Sequence, residues 1–249
     1  MGTYHEDIEV ENEVSYFEIN FKYRKNLQSI KKEYNRYFQF FKYNYDKHLP
    51  YNKNAKICDM ACGIGETVNS LKWDGYTNVI GVDFDNENVQ FCRKQGLNVV
   101  QGSIYEYFKD KKNEFDVIIL NDIIEHIEKN RVIAVLKDIK ASLCENGILI
   151  IKTVNAANPF LASASRYMDF THEIIYDEFS IRDILLIAGF QARKIKIKES
   201  NLYVFWKNPL NYVAWLINSL INLFLRCYFI LNFKKQRIFT KNFIAVVKK

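Results

Sequence analysis

With 249 residues, 49% of them apolar, the chain has the size of one domain carrying appended elements. Its five cysteines show no Cys-x-x-Cys spacing, which argues against a disulfide framework and fits a reducing, cytoplasmic compartment. The net charge of +6 is spread over scattered lysines and a basic C-terminal stretch. It reads as solubility, or as attraction to an anionic substrate or membrane surface. The acidic, polar residues 1–13 lead to the expectation of no secretory signal.

In chain order, residues 14–48 carry Tyr34, Phe38, Phe41 and Tyr45 at helical spacing, so one or two amphipathic helices are expected ahead of the first strand. Apolar runs at 55–60, 79–82, 99–100, 117–120 and 148–152 read as strands with helical patterns between them. Asp85 precedes one such helix, and Arg131 to Leu136 open another. The alternation implies a mostly parallel sheet buried on both faces, with every parallel strand's carboxyl end on one edge. Two segments break the alternation: Asn155 to about Asp177, and Pro209 to Phe233. The second lies between a strand expected around 194–205 and a last strand at 242–247. In it Asn211, Asn218, Asn222 and Arg226 form one narrow polar stripe on an otherwise apolar helix. The runs are too short and broken to span a bilayer. Packing on the sheet domain, a homodimer interface and peripheral membrane contact all remain open for it.

The chemistry sits where the first strand ends. Residues Lys56 to Gly65 read as a strand, then a turn through Ala61, Gly63 and Gly65, then a helix start; Asp83 ends the next strand. This is how an α/β sheet holds a nucleotide. A dinucleotide fingerprint needs a third glycine where Val68 stands, and Asp59 ahead of the turn would repel a pyrophosphate. S-adenosylmethionine, cationic and without phosphate, suits the loop better, with a ribose that a carboxylate can clamp.

At Asp59, Gly63, Gly65 and Asp83 the chain resembles the class I S-adenosylmethionine-dependent methyltransferases. The resemblance continues through Phe115 to His126, which looks like that family's fourth strand and Glu-His turn, and through Asn146 to Ile151, its fifth strand. It implies an α/β, Rossmann-like fold: a mostly parallel seven-stranded sheet with helices on both faces. The expected organisation is a single domain over 1–249. Its parts are an N-terminal helical cap (1–50), a cofactor-binding half (51–155), a substrate-side insertion (156–178) and a helical insertion (209–233) before the last strand. The implied cofactor is S-adenosylmethionine, with S-adenosylhomocysteine as product. Asp59, Ala61, Gly63, Gly65, Asp83, Phe84, Gly102, Ser103, Ile104 and Asn121 are its expected binding residues. Asp83 is assigned to the ribose hydroxyls, Phe84 to the adenine face or to core packing, Gly102 to Ile104 to the adenine amine, and the Asn121 carbonyl to the cofactor's ammonium. The helical cap covers the cofactor pocket in such enzymes, and Tyr23 or Arg24 is a candidate to face it.

A hydroxyl acceptor needs a base during methyl transfer, whereas an amine does not. His172 in the first insertion is the first candidate, followed by His126 of the Glu-His turn and Asp122; Asp169 and Glu173 are further carboxylates at that end. No metal-ligand spacing stands out along the chain, so no metal is expected. Residues Tyr167 to Glu173 and Phe179 to Phe190 look like bacterial methyltransferases of surface-polysaccharide (capsule and O-antigen) pathways. That resemblance implies a sugar, nucleotide-linked sugar or phosphate-bearing glycan precursor as substrate. The alternatives are a quinone or lipid acceptor at a membrane surface, and a cofactor-binding module without turnover. Asn121-Asp122-Ile123-Ile124 lacks the prolines of the nucleic-acid amino-methyltransferase motif, so no nucleic-acid partner is expected.

Overall fold

The computed structural model describes residues 27–200, 209–232 and 235–249. Within them the chain forms a seven-stranded sheet of order β3-β2-β1-β4-β5-β7-β6. The strands are β1 (Ile57–Met60), β2 (Val79–Asp83), β3 (Val99–Gln101), β4 (Phe115–Asn121), β5 (Leu143–Val154), β6 (Ile195–Glu199) and β7 (Asn242–Lys248). Strands β1 to β5 pair parallel, and β7 inserts antiparallel between β5 and β6.

Strand periodicity sorts the side chains onto two cores. In β4, Val117 and Ile119 join Ile57, Val79 and Ile150 on one face, while Ile118 and Leu120 join Cys58, Leu149 and Ile151 on the other. The first core is closed by α1 (Leu27–Asn44), α2 (Glu66–Trp73) and α3 (Asn86–Lys94), through Phe41, Tyr45, Leu71, Val89 and Cys92. The second is closed by α4 (Val132–Ser142) and α6 (Glu178–Ile187), through Leu136, Ile139, Ile181 and Leu185. Such two-sided burial is why the central strands read as continuous apolar runs.

Local signals set the helix starts. The Asp85 carboxylate accepts the Glu87 N–H (2.8 Å) and caps α3. Asp177 and Ser180 form a reciprocal capping box on α6. Of the expected N-terminal helices, α1 is the part that lies in the described residues; Tyr23 and Arg24 lie outside them. The strand expected at 194–205 is shorter, ending at Glu199, and residues 201–208 lie outside the described part. The strand expected at 148–152 extends back to Leu143, because Phe115 of β4 pairs with Leu143 beyond a register shift.

The first insertion carries α5 (Ala162–Tyr167) and is tied back to the sheet. Asn155 bridges Tyr176 and donates to the carbonyls of Ile238 and Thr240, and Asn158 donates to that of Phe239. The second insertion is α7 (Pro209–Leu231). Its stripe residues Asn218, Asn222 and Arg226 are half-buried, with Arg226 ion-paired to Glu199, while Trp215, Leu216, Leu220, Leu223 and Phe224 are exposed. The helix therefore turns its polar stripe inward and its apolar side outward. Among the described residues no helix is long and apolar enough to cross a membrane.

Candidate active site

A cavity of about 660 Å³ opens at the carboxyl ends of β1, β2, β3 and β4. The turn after β1 forms its floor. Ala61 and Gly63 line it with φ of +58° and +53°, a region unfavourable to residues with a side chain. A Cβ on Gly63 would meet nothing within 4 Å, so the missing side chain leaves open cavity. Gly65 does not line the cavity. Its φ is +82° and a Cβ there would stand 2.5 Å from Leu97 Cδ1, so this glycine serves the close packing of the α2 start on the Cys92–Leu97 turn.

The two acidic residues of the motif differ sharply. Asp83 accepts the Gly63 N–H on Oδ2 (2.7 Å), and the Asp85 N–H (3.0 Å) and Asn88 amide (3.1 Å) on Oδ1. It thus holds the glycine turn in place and keeps a lone-pair direction on Oδ2 for a ligand. Burial nevertheless raises its pKa. Asp59 is 1% exposed and neither carboxylate oxygen has a partner. Burial, then the charges of Asp83 and Glu66, push its carboxyl well above the usual range. A buried carboxylate without donors is costly unless a cation meets it. Orphaned Asp59 on the cavity wall therefore fits the ammonium-bearing, sulfonium cofactor.

Phe84, Gly102, Ser103 and Ile104 form the β2–β3 side of the cavity. Phe84 is 61% exposed and belongs to the cavity wall, not to the core. A Cβ on Gly102 would press on Val82 and Tyr107, so this position too is limited by packing. Asn121 lines the opposite side, where its side chain is an anchor. Oδ1 accepts the Tyr45 hydroxyl (2.6 Å) and Nδ2 donates to Tyr37 (3.1 Å) and Thr67 (2.9 Å), joining β4 to α1 and α2. Tyr37, Thr67, Tyr105 and Lys152 also line the cavity. The sequence marks these four weakly: Tyr37 stands three residues after Tyr34 in the aromatic pattern of α1, and nothing local marks the others.

The acceptor end holds the candidate bases. Asp122, at φ +50°, is ion-paired with Lys152, which occupies it as a proton acceptor. His126 lines the cavity. His172 is not on the cavity wall but its ring lies 4.6 Å from that of His126. The insertion is registered here by the Glu173 and Ile174 N–H groups, which donate to the Glu125 carbonyl (2.8 and 3.2 Å). Burial, then His172, lowers the pKa of His126, favouring the neutral imidazole. Glu125 is fully buried. Its Oε2 accepts the Thr153 hydroxyl (2.8 Å), Oε1 has no partner, and burial with the Asp122 charge holds its pKa up at about 8. Asp169 accepts the Thr171 hydroxyl (2.7 Å) and N–H (3.0 Å); against the opposing effect of burial, these hold its carboxyl below the usual range. Chain spacing offered no metal-ligand set, whereas folding brings Glu125, His126 and His172 together with ligand atoms within 4.8 Å of one another.

A parallel sheet whose carboxyl edge carries a glycine turn flanked by Asp59 and Asp83 defines a class I S-adenosylmethionine-dependent methyltransferase. The chain matches the methyltransferase-domain family model over residues 24–195, and it belongs to that family. It is similar to solved S-adenosylmethionine-dependent methyltransferases from three organisms. That of Archaeoglobus fulgidus is 22% identical, with a TM-score of 0.63 covering 94% of this chain and 99% of that one. That of Thermotoga maritima is 17% identical, with a TM-score of 0.60 covering 94% and 97%. That of Mesorhizobium loti is 12% identical, with a TM-score of 0.56 covering 82% and 95%. At these identities the likeness establishes the fold. No curated protein matches the chain. The cofactor of this family is S-adenosylmethionine, and the cavity's residues fit it.

Proposed function

We propose that the chain methylates a hydroxyl on a sugar, a nucleotide-linked sugar or a phosphate-bearing glycan building block. The observation that carries this is the His126–His172 pair against buried Glu125 at one end of the cavity. A hydroxyl must lose a proton as its oxygen is methylated, and an amine acceptor needs no such cluster. The basic net charge supports an acceptor bearing phosphate. When bound, S-adenosylmethionine supplies a methyl group activated by a sulfonium. Asp59 faces its positive charge, Asp83 accepts from its ribose, and Gly63 admits its close approach. The cavity walls would hold the acceptor in line with the methyl group.

The test is transfer of labelled methyl to a panel of sugar phosphates, nucleotide sugars and amines, with calorimetric binding of S-adenosylhomocysteine alongside. Label is expected on a sugar hydroxyl. Asp83→Ala is expected to bind S-adenosylhomocysteine about ten- to a hundredfold more weakly, the loss of a charge-assisted hydrogen bond of about 1.5–3 kcal/mol. Label found on amines alone would overturn the acceptor assignment.

A second reading, a lipid or quinone acceptor taken from a membrane surface, is favoured by one observation. The insertion beside the site exposes Phe160, Tyr167, Met168 and Phe170, and α7 exposes its apolar side. Residues 200–249 contain no acidic residue, while Lys235, Arg237 and Lys241 are exposed after α7. An anionic lipid surface complements that combination.

A further inference from the structure

We propose that Glu125, His126 and His172 bind a divalent first-row transition-metal cation at the acceptor end of the cavity, where it receives the acceptor's hydroxyl. The hydrogen bonds around the three side chains carry this assignment. The Nδ1 of His172 lies 2.6 Å from the Ser165 carbonyl oxygen. A carbonyl only accepts, so Nδ1 carries the hydrogen and Nε2 keeps its lone pair. The Nδ1 of His126 lies 2.8 Å from Thr171 Oγ1, whose single hydrogen is already given to the Asp169 carboxylate. His126 must therefore donate through Nδ1, and its Nε2 also keeps a lone pair. Glu125 spends Oε2 on Thr153 and leaves Oε1 buried without a donor.

One ligand atom from each side chain lies within 4.8 Å of the others, and both imidazoles have their Nδ1 hydrogen engaged elsewhere. This is how metal-binding histidines are held, with the far N–H pinned by a carbonyl or through a hydroxyl by a carboxylate. Two imidazoles and one carboxylate leave open coordination positions and suit cations such as zinc, iron(II), cobalt or manganese. Ligands about 2.1 Å from a shared ion stand about 3–4 Å apart, so atoms within 4.8 Å need only small side-chain rotations. His126 lines the cavity and places the open positions there.

This inference rests on the hydroxyl-acceptor reading for its role, but not for its existence. A hydroxyl bound to the cation is acidified and gives its proton to solvent water. Its oxygen then forms the bond to the methyl carbon as the carbon–sulfur bond breaks, and that electron pair stays on sulfur, neutralising the sulfonium. A vicinal hydroxyl pair, as on a sugar ring, would chelate through two open positions.

The test is titration of the chelator-treated full chain with cobalt chloride, followed by visible absorption and calorimetry, with no acceptor or cofactor present. The wild type is expected to bind one cobalt ion, and His172→Ala and Glu125→Gln at least tenfold more weakly. All are to retain S-adenosylhomocysteine binding, which certifies the fold. His172 is a half-buried loop side chain, so its variant stays informative if Glu125→Gln misfolds. His48→Ala, outside the site, is expected to bind cobalt like the wild type. No cobalt uptake by the wild type, or unchanged uptake by His172→Ala, would overturn the site. Cobalt uptake with no sugar hydroxyl methylated would uphold the site and overturn the acceptor reading. Chelator-insensitive methylation of a sugar hydroxyl, without cobalt uptake, would do the reverse.

Discussion

Asp59 and Asp83 show how far identical side chains diverge once neighbours are set. Asp83 takes three donors and organises the turn, whereas Asp59 takes none and stands buried with its pKa pushed up. Both were legible from their place at strand ends, but their division of labour depends on which N–H groups the turn directs inward. His48 offers a residue-scale prediction away from the site. Burial, then Lys198, Lys47 and Lys196, lowers its pKa from the usual 6.5 to about 4. The folded chain refuses a proton that the unfolded chain accepts between those values. Its contribution to stability is full above about pH 6.5 and is lost as pH falls towards and through 4. Urea midpoints of the wild type are expected to fall more between pH 7 and 5 than those of His48→Gln. Parallel curves would show that His48 is not the group responsible.

At the scale of elements, the β1–α2 turn uses its two glycines for different ends. Gly65→Ala adds strain of about 1–2 kcal/mol from the left-handed backbone, plus a contact at 2.5 Å with Leu97. Its melting temperature is expected to drop by about 4 °C or more. Gly63→Ala carries similar backbone strain without the contact, but its methyl occupies the cavity. It is expected to melt higher than Gly65→Ala and to bind S-adenosylhomocysteine at least tenfold more weakly than the wild type. Equal melting with equal binding in the two variants would contradict this split. The strands and the caps at Asp85 and Asp177 were legible because periodicity and capping act within a few residues. The stripe on α7 was legible too, but not its direction, since amphipathicity names two faces without saying which meets the protein.

Across the whole molecule, the first insertion, the 236–240 segment and the end of α7 form one connected surface. Asn155 and Asn158 hold residues 238–240, Phe229 packs on Phe239 (4.8 Å between ring centroids), and Arg226 Nε donates to the Arg237 carbonyl. We propose that this side rests on an anionic lipid surface, with α7 lying in the interface. A helix of 23 residues is about 35 Å long, and its outward face carries Trp215, Leu216, Leu220 and Phe224. Cosedimentation with phosphatidylserine vesicles is expected, weakened by salt and reduced at least tenfold in Leu216→Glu with Leu220→Glu. Absence of vesicle binding, together with a concentration-dependent dimer that the same variant breaks, would assign the face to a second copy instead.

The sequence by itself determined the alternating strands and helices, the glycine turn with its flanking acids, and hence the class of cofactor. These depend on periodicity and on neighbours a few residues apart, which chain order preserves. Only the tertiary structure decided that α7 turns its apolar side outward, that Lys152 occupies Asp122, and that His172 meets Glu125 and His126. Those outcomes depend on contacts between distant segments, here the Glu125 carbonyl receiving the N–H groups of Glu173 and Ile174, and no local pattern encodes such a meeting.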